Sequence, residues 1–260
     1  MTGHTGPAWQ KLSEELDLWA KAGKQATLWW RDDDATEPSG QLDHLLALTG
    51  DAGVPLSLAV IPATATQALA QHLADQKSHV NVLVHGLAHQ NNAPVDDKKA
   101  EFHAARPLPE MTADLSDALS RLKSLMPVHF LPVLVPPWNR LPPVLVPALS
   151  SIGFHGLSTY KSRTTKTEPP GLVINNCHVD LINWRENRRF VGEEQVLTLI
   201  HAHLAARRNN IVDSEEITGI LSHHLVHDGE TRAFLHKFLA WTTDQPTVRW
   251  LDAREVFKLP

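Results

Sequence analysis

The stretch Ala26-Thr27-Leu28-Trp29-Trp30-Arg31-Asp32-Asp33-Asp34 sets an apolar run directly ahead of an arginine and three carboxylates. A run without polar alternation needs cover on both faces, so it reads as a buried strand that delivers Arg31 and the aspartates to its carboxyl end. Outward from it, residues 41–51 form a predicted helix with Leu42, Leu45, Leu46 and Leu48 on its apolar side, and residues 55–61 form a second strand. On the other flank, Trp9, Leu12, Leu16 and Trp19 recur at helical spacing, and Gly23 is a stop signal.

The same alternation continues. A helix over 64–75 precedes the short strand 80–84, which ends at His85. After a long polar connection, a helix over 111–126 leads to a strand over 130–135, closing at Pro136-Pro137-Trp138-Asn139-Arg140. A helix over 144–151, a strand over 154–158 and a polar linker over 160–170 follow. Residues 172–175 read as a strand leading to His178-Val179-Asp180, and 193–207 as a helix. Strand 218–221 ends in Ser222-His223-His224, ahead of a helix over 230–241 and a last strand over 247–251. Strand and helix alternate about seven times, which predicts a parallel sheet wrapped by helices, either a barrel or an open doubly wound sheet. In both, functional residues gather at the carboxyl ends of the strands. No repeat or composition break divides the chain, so one domain over 1–260 is expected.

Composition narrows the function classes. A net charge of −5 gives no global attraction to nucleic-acid phosphates or anionic lipid, so neither partner is expected. The single cysteine, Cys177, cannot form an intramolecular disulfide. The first ten residues carry no export-signal pattern and no run reaches membrane-spanning length, so a cytoplasmic location is expected. Sixteen histidines matter only where they cluster, and several do.

Three clusters carry chemistry, each with a bland alternative. At an extended strand end Asp33 and Asp34 point to opposite sides, so one could bind a metal while the other handles a proton; a solvated acidic turn or a helix cap is the plain alternative. His85 and His89 are four apart, so on a helical turn their rings share a face and can hold one ion. Gly86 rather than Glu follows the first histidine, so the zincin pattern is absent. Two imidazoles and a carboxylate leave positions open for water and substrate, as a catalytic zinc needs. Alternation at the end of strand 218–221 should turn one of His223 and His224 inward, a candidate general acid that Asp180 or Asp228 could orient, unless both are surface residues.

Taken in order, Asp33-Asp34, His85 to His89, Pro136-Pro137-Trp138-Asn139, Asp180 with Trp184, and Leu221-Ser222-His223 resemble the motifs of the polysaccharide deacetylase family, also called NodB homology or carbohydrate esterase 4. The resemblance implies a single-domain distorted (β/α) barrel, with seven strands expected and the site at their carboxyl ends. It implies that Asp33 is the general base and His223 the general acid, with Asp34, His85 and His89 holding Zn2+ or another divalent transition metal. Pro137, Trp138, Asn139 and Trp184 would bind substrate, and Asp180 and His224 would support the site from behind. The pair Asp32-Asp33 is an alternative register; Ala35, in the small-residue position, favours Asp33-Asp34. Where the family has an arginine before Pro-Pro, this chain has Val135, and Arg31, Arg106 and Arg140 are candidates to replace it.

The implied activity is metal-dependent removal of an N-acyl group, such as acetyl, from a carbohydrate or amino-sugar-like substrate. Two alternatives stand beside it: hydrolysis of another C–N bond in a small cytoplasmic amide, and a catalytically silent carbohydrate- or metal-binding protein.

Overall fold

The computed structural model describes residues 6–74, 79–163 and 169–260. The predicted helix end at Asp75, residues 164–168 of the polar linker, and the first five residues of the amino-terminal segment lie outside them.

Among the described residues the strands are β1 (Ala26–Ala35), β2 (Leu56–Val60), β3 (Val80–His85), β4 (Phe130–Val135), β5 (Gly156–Leu157), β6 (Val173–Ile174), β7 (Val179–Asp180), β8 (Thr218–Ser222) and β9 (Val248–Trp250). The helices are α1 (Pro7–Lys21), α2 (Gly40–Ala52), α3 (Gln67–Ala74), α4 (Leu108–Leu125), α5 (Leu149–Ile152), α6 (Glu193–Arg208), α7 (Gly229–Thr243) and α8 (Ala253–Val256). Among the described residues no helix is long and apolar enough to cross a membrane. The helix predicted over 144–151 is instead a 3-10 segment, Pro143–Ala148, running into the short α5, because Pro147 removes a donor from the helical ladder.

The sheet order is β6-β5-β4-β3-β2-β1-β8-β7, with β9 also paired to β1, and every named strand pair is parallel. The sheet curls. A parallel bridge between Tyr160, just after β5, and Cys177, just before β7, joins the two sides, with Cys177 N–H donating to Thr159 O and Lys161 N–H to Cys177 O. The strands inside that ring are β1 to β5, β7 and β8, a distorted (β/α) barrel of seven, while β6 and β9 flank it.

Pleating sorts the side chains into two cores. Leu28, Trp30, Leu58, Val60, Val82 and Val84 face outward and are covered by the helices. Trp29, Ala59, Leu83, Val133, Val135 and Leu221 face inward with Val256 and Phe257, and the Phe257 ring meets Trp29 edge-on at 5.5 Å to plug the barrel. Residues 31 and 33 share the inward face of Trp29. The barrel therefore carries an arginine and an aspartate above its apolar floor.

Candidate functional site

Arg31 and Asp33 are both buried, and the guanidinium grips the carboxylate through Nε to Oδ1 at 2.8 Å and Nη2 to Oδ2 at 3.0 Å. The remaining donors are also satisfied: Nη1 donates to Ser158 Oγ at 2.7 Å and to the carbonyls of Ser158 and Thr159, and Nη2 to Asn139 Oδ1 at 2.7 Å. Burial pulls the Arg31 pKa down, but the Asp33 charge outweighs it, so the guanidinium is held charged above its ordinary value. Arg31 is thus the guanidinium beside Asp33, whereas Arg106 pairs with Asp114 and Arg140 Nη1 donates to Lys99 O.

Asp34 departs from the pleat. The β1–β2 register shifts between Asp32 and Ala35, and Asp34 has φ 75°, a left-handed conformation that Asp tolerates better than most residues. The bulge overturns the expectation that Asp33 and Asp34 face opposite sides, because both line the same cavity, of about 290 Å3. Asp32 takes the other direction. Its Oδ1 is 2.5 Å from His224 Nδ1, and its Oδ2 accepts from Ser222 Oγ, which accepts from Trp30 Nε1.

The expected helical turn under His85 and His89 is also corrected. His85 ends β3, and the chain then bends through Gly86 (φ 60°) to His89 (φ 53°), with no helix between them. The rings still converge: Asp34 Oδ1 lies 3.0 Å from His85 Nε2 and 3.3 Å from His89 Nε2. A tetrahedral cation with bonds of about 2.0–2.1 Å holds its ligand atoms roughly 3.3 Å apart, so the spacing suits one.

The tautomer of His85 gives an independent test. Its Nδ1 is 2.9 Å from Val135 O, and a carbonyl only accepts, so Nδ1 carries a hydrogen. In a neutral ring Nε2 then presents a lone pair to the Asp34 carboxylate. Two acceptors face one another there, and only a cation or an extra proton reconciles them. Burial raises the Asp34 carboxyl, but the hydrogen bond and charge of His85 hold it well below its ordinary value. Burial pulls His85 down, but Asp33 and Asp34 lift it above; His89 is lowered by burial and by the neighbouring His85 charge. The residues fit a divalent cation.

Aromatic walls complete the cavity. Trp138 and Asn139 both have positive φ (54° and 55°), which sets the Trp138 ring 4.4 Å from His89 and turns the Asn139 amide to Arg31. Pro137 is buried and absent from the lining; its ring would lie 2.6 Å from a Cβ at position 86. Trp184 Nε1 donates to Asp180 Oδ2 at 2.9 Å, and its ring meets His223 edge-on at 4.6 Å. Burial raises the Asp180 carboxyl, against the charge of His223. Of the histidine pair, His223 lines the cavity and His224 is buried against Asp32. Asp228 does not orient a ring: it caps α7, accepting from Thr231 N–H and Oγ.

This fold and cavity have counterparts among solved structures. A protein from Mycobacterium smegmatis assigned as a polysaccharide deacetylase superposes with a TM-score of 0.63 at 14% identity, over 90% of this chain and 90% of that one. The chain has the polysaccharide deacetylase fold. A carbohydrate esterase 4 protein from Streptococcus mutans matches at TM-score 0.57 and 11% identity, over 94% of this chain and 89% of that one. A family 4 carbohydrate esterase from Streptomyces lividans, in complex with acetate, matches at 0.54 and 14%, over 86% and 90%. No protein-family model matches the chain, and no curated protein does.

A second group, His178, His203 and Glu216, also draws together near the amino ends of β7 and β8. Its tautomer argues the other way. Gly219 N–H donates to His178 Nδ1, so the neutral ring carries its hydrogen on Nε2, which faces Glu216 Oε1 at 3.5 Å. His178 therefore offers a cation no lone pair, and its ring stacks instead on that of His203 at 3.5 Å.

Proposed function

We propose that the protein is a metal-dependent hydrolase that removes an N-acyl group, acetyl in the simplest case, from a carbohydrate or amino-sugar-like substrate. The observation that carries this is the pair of acceptors, His85 Nε2 and Asp34 Oδ1, held 3.0 Å apart beside His89. Asp34, His85 and His89 would hold Zn2+ or another divalent transition metal, which when bound supplies Lewis acidity toward an amide carbonyl and a water.

The remaining work falls to side chains of this chain. Asp33 takes the proton from the attacking water; its two oxygens are oriented by Arg31, so its free lone pairs face the cavity. His223, also in the cavity lining, delivers a proton to the departing amine, without which a poor leaving group stays attached. Trp138 and Trp184 are flat apolar walls suited to the C–H faces of a sugar ring. The acetate in the Streptomyces lividans structure is the carboxylate product that such a reaction would release.

Acetate release from N-acetylated amino sugars and their oligomers, run beside simple amides with added zinc, tests the proposal. Release from the sugars is expected. Turnover only on simple amides would move the substrate class, and no turnover on either by zinc-loaded protein would overturn the activity.

A further inference from the structure

The segment between the two histidines has no regular structure to hold it, yet it carries His89 to within 3.3 Å of Asp34. Its backbone donors turn instead to one buried carboxylate. Glu101, 3% exposed, accepts from Leu87 N–H through Oε2 at 3.1 Å and from Ala88 N–H through Oε1 at 2.7 Å, and the Gln90 N–H also acts on it. Successive N–H groups converging on an anion form a backbone nest, here filled by a side chain of the same protein.

The surroundings are built for that carboxylate. Gly86 at φ 60° starts the turn, and a Cβ there would lie 2.0 Å from Glu101 Oε2 and 2.6 Å from Pro137, so only glycine leaves room. The long polar connection folds back to bring Glu101 home: Asn91 Oδ1 accepts from Ala100 N–H, Asn92 N–H donates to Ala100 O, and Asn92 Nδ2 and Arg106 Nη1 both donate to Glu101 O. Glu101 lies outside the Asp34, His85 and His89 group, so it is no ligand itself.

We propose that Glu101 is a positioning residue for the cation site: its carboxylate fixes the turn from Gly86 to Gln90 in the one shape that presents His89 to Asp34 and His85. The inference rests on the proposed metal-dependent function. Without the carboxylate, the Leu87 and Ala88 N–H groups lose their acceptor and the turn reopens, so His89 must be ordered at the expense of metal binding.

The test compares Zn2+ affinity of the unsubstituted protein and Glu101→Gln by competition with a chromophoric chelator, and reads Co2+ absorption in the visible as a report on the ligand set. Glu101→Gln keeps the shape but puts an NH2 group against a backbone donor. The expected result is a ten- to hundredfold loss of Zn2+ affinity and an altered Co2+ spectrum. Unchanged affinity and spectrum in Glu101→Gln, with the unsubstituted protein binding zinc, would overturn the role of Glu101 and leave the proposed function standing. An unsubstituted protein that binds no zinc would overturn both. Amide hydrogen exchange in the unsubstituted protein needs no variant to fold: Leu87 and Ala88 are expected to be protected with and without zinc, and exchange at open-loop rates would contradict the nest.

Discussion

Arg31 and Asp33 stand two residues apart on one strand, and their side chains meet on its inward face through two parallel hydrogen bonds of 2.8 and 3.0 Å, shielded from water. A lysine cannot reproduce that fork. Arg31→Lys is expected to lower kcat at least about tenfold with little change in KM, because the base is misaimed while the substrate walls stay intact. Arg31→Met leaves a buried carboxylate unpaired and is expected to lose about 3–5 kcal/mol of stability by urea unfolding. A Lys variant with unchanged kcat would show that the pair is only structural.

The Asp32–His224 pair sets a pH dependence. Burial alone would raise the carboxyl and lower the imidazole, but each partner's charge prevails, so Asp32 lies below its ordinary value and His224 above. The raised imidazole stabilises the fold fully below the unfolded value of about 6.5, and that contribution is lost as pH rises through the folded value. The depressed carboxyl contributes above about 3.9 and fades as pH falls through its folded value. Both contributions are complete between those two unfolded values. The Tm deficit of His224→Asn is therefore expected to be largest near pH 5–6 and to narrow on raising the pH; a deficit that stays constant to pH 9 would count against the ionic pair.

Trp184 is 37% exposed and tied to Asp180, so its loss removes one wall without breaching the core. Trp184→Ala is expected to raise KM for a sugar substrate about two- to tenfold, matching about 0.5–1.5 kcal/mol of aromatic contact. A fall in kcat alone would assign the ring to holding His223 instead.

The barrel was legible because buried parallel strands write themselves as mainly apolar runs, as at 26–30 and, around Asn81, at 80–84, each ending in a polar cluster. Convergence of Asp34, His85 and His89 was legible in motif order but not in geometry. Periodicity cannot foresee a bulge, so Asp34 turning into the cavity at φ 75° was hidden, as was a turn between the histidines held by a carboxylate twelve residues beyond His89. The Arg31 contact was one of three candidates; strand alternation favours it, since residues 31 and 33 share a face, but which face points inward depends on the curl of the whole sheet. Glu101 carried no signal at all, lying in a polar connection with no period.

Zinc binding followed by calorimetry, on the protein and on Asp34→Ala, bears most directly on the proposed centre. About one equivalent is expected to bind the unsubstituted chain and to raise its unfolding free energy, by about 2.7 kcal/mol at a hundredfold excess over Kd, while Asp34→Ala loses both. An unsubstituted protein that takes up no zinc, or an Asp34→Ala variant that binds it equally well, would contradict the assignment of Asp34, His85 and His89 as one cation site.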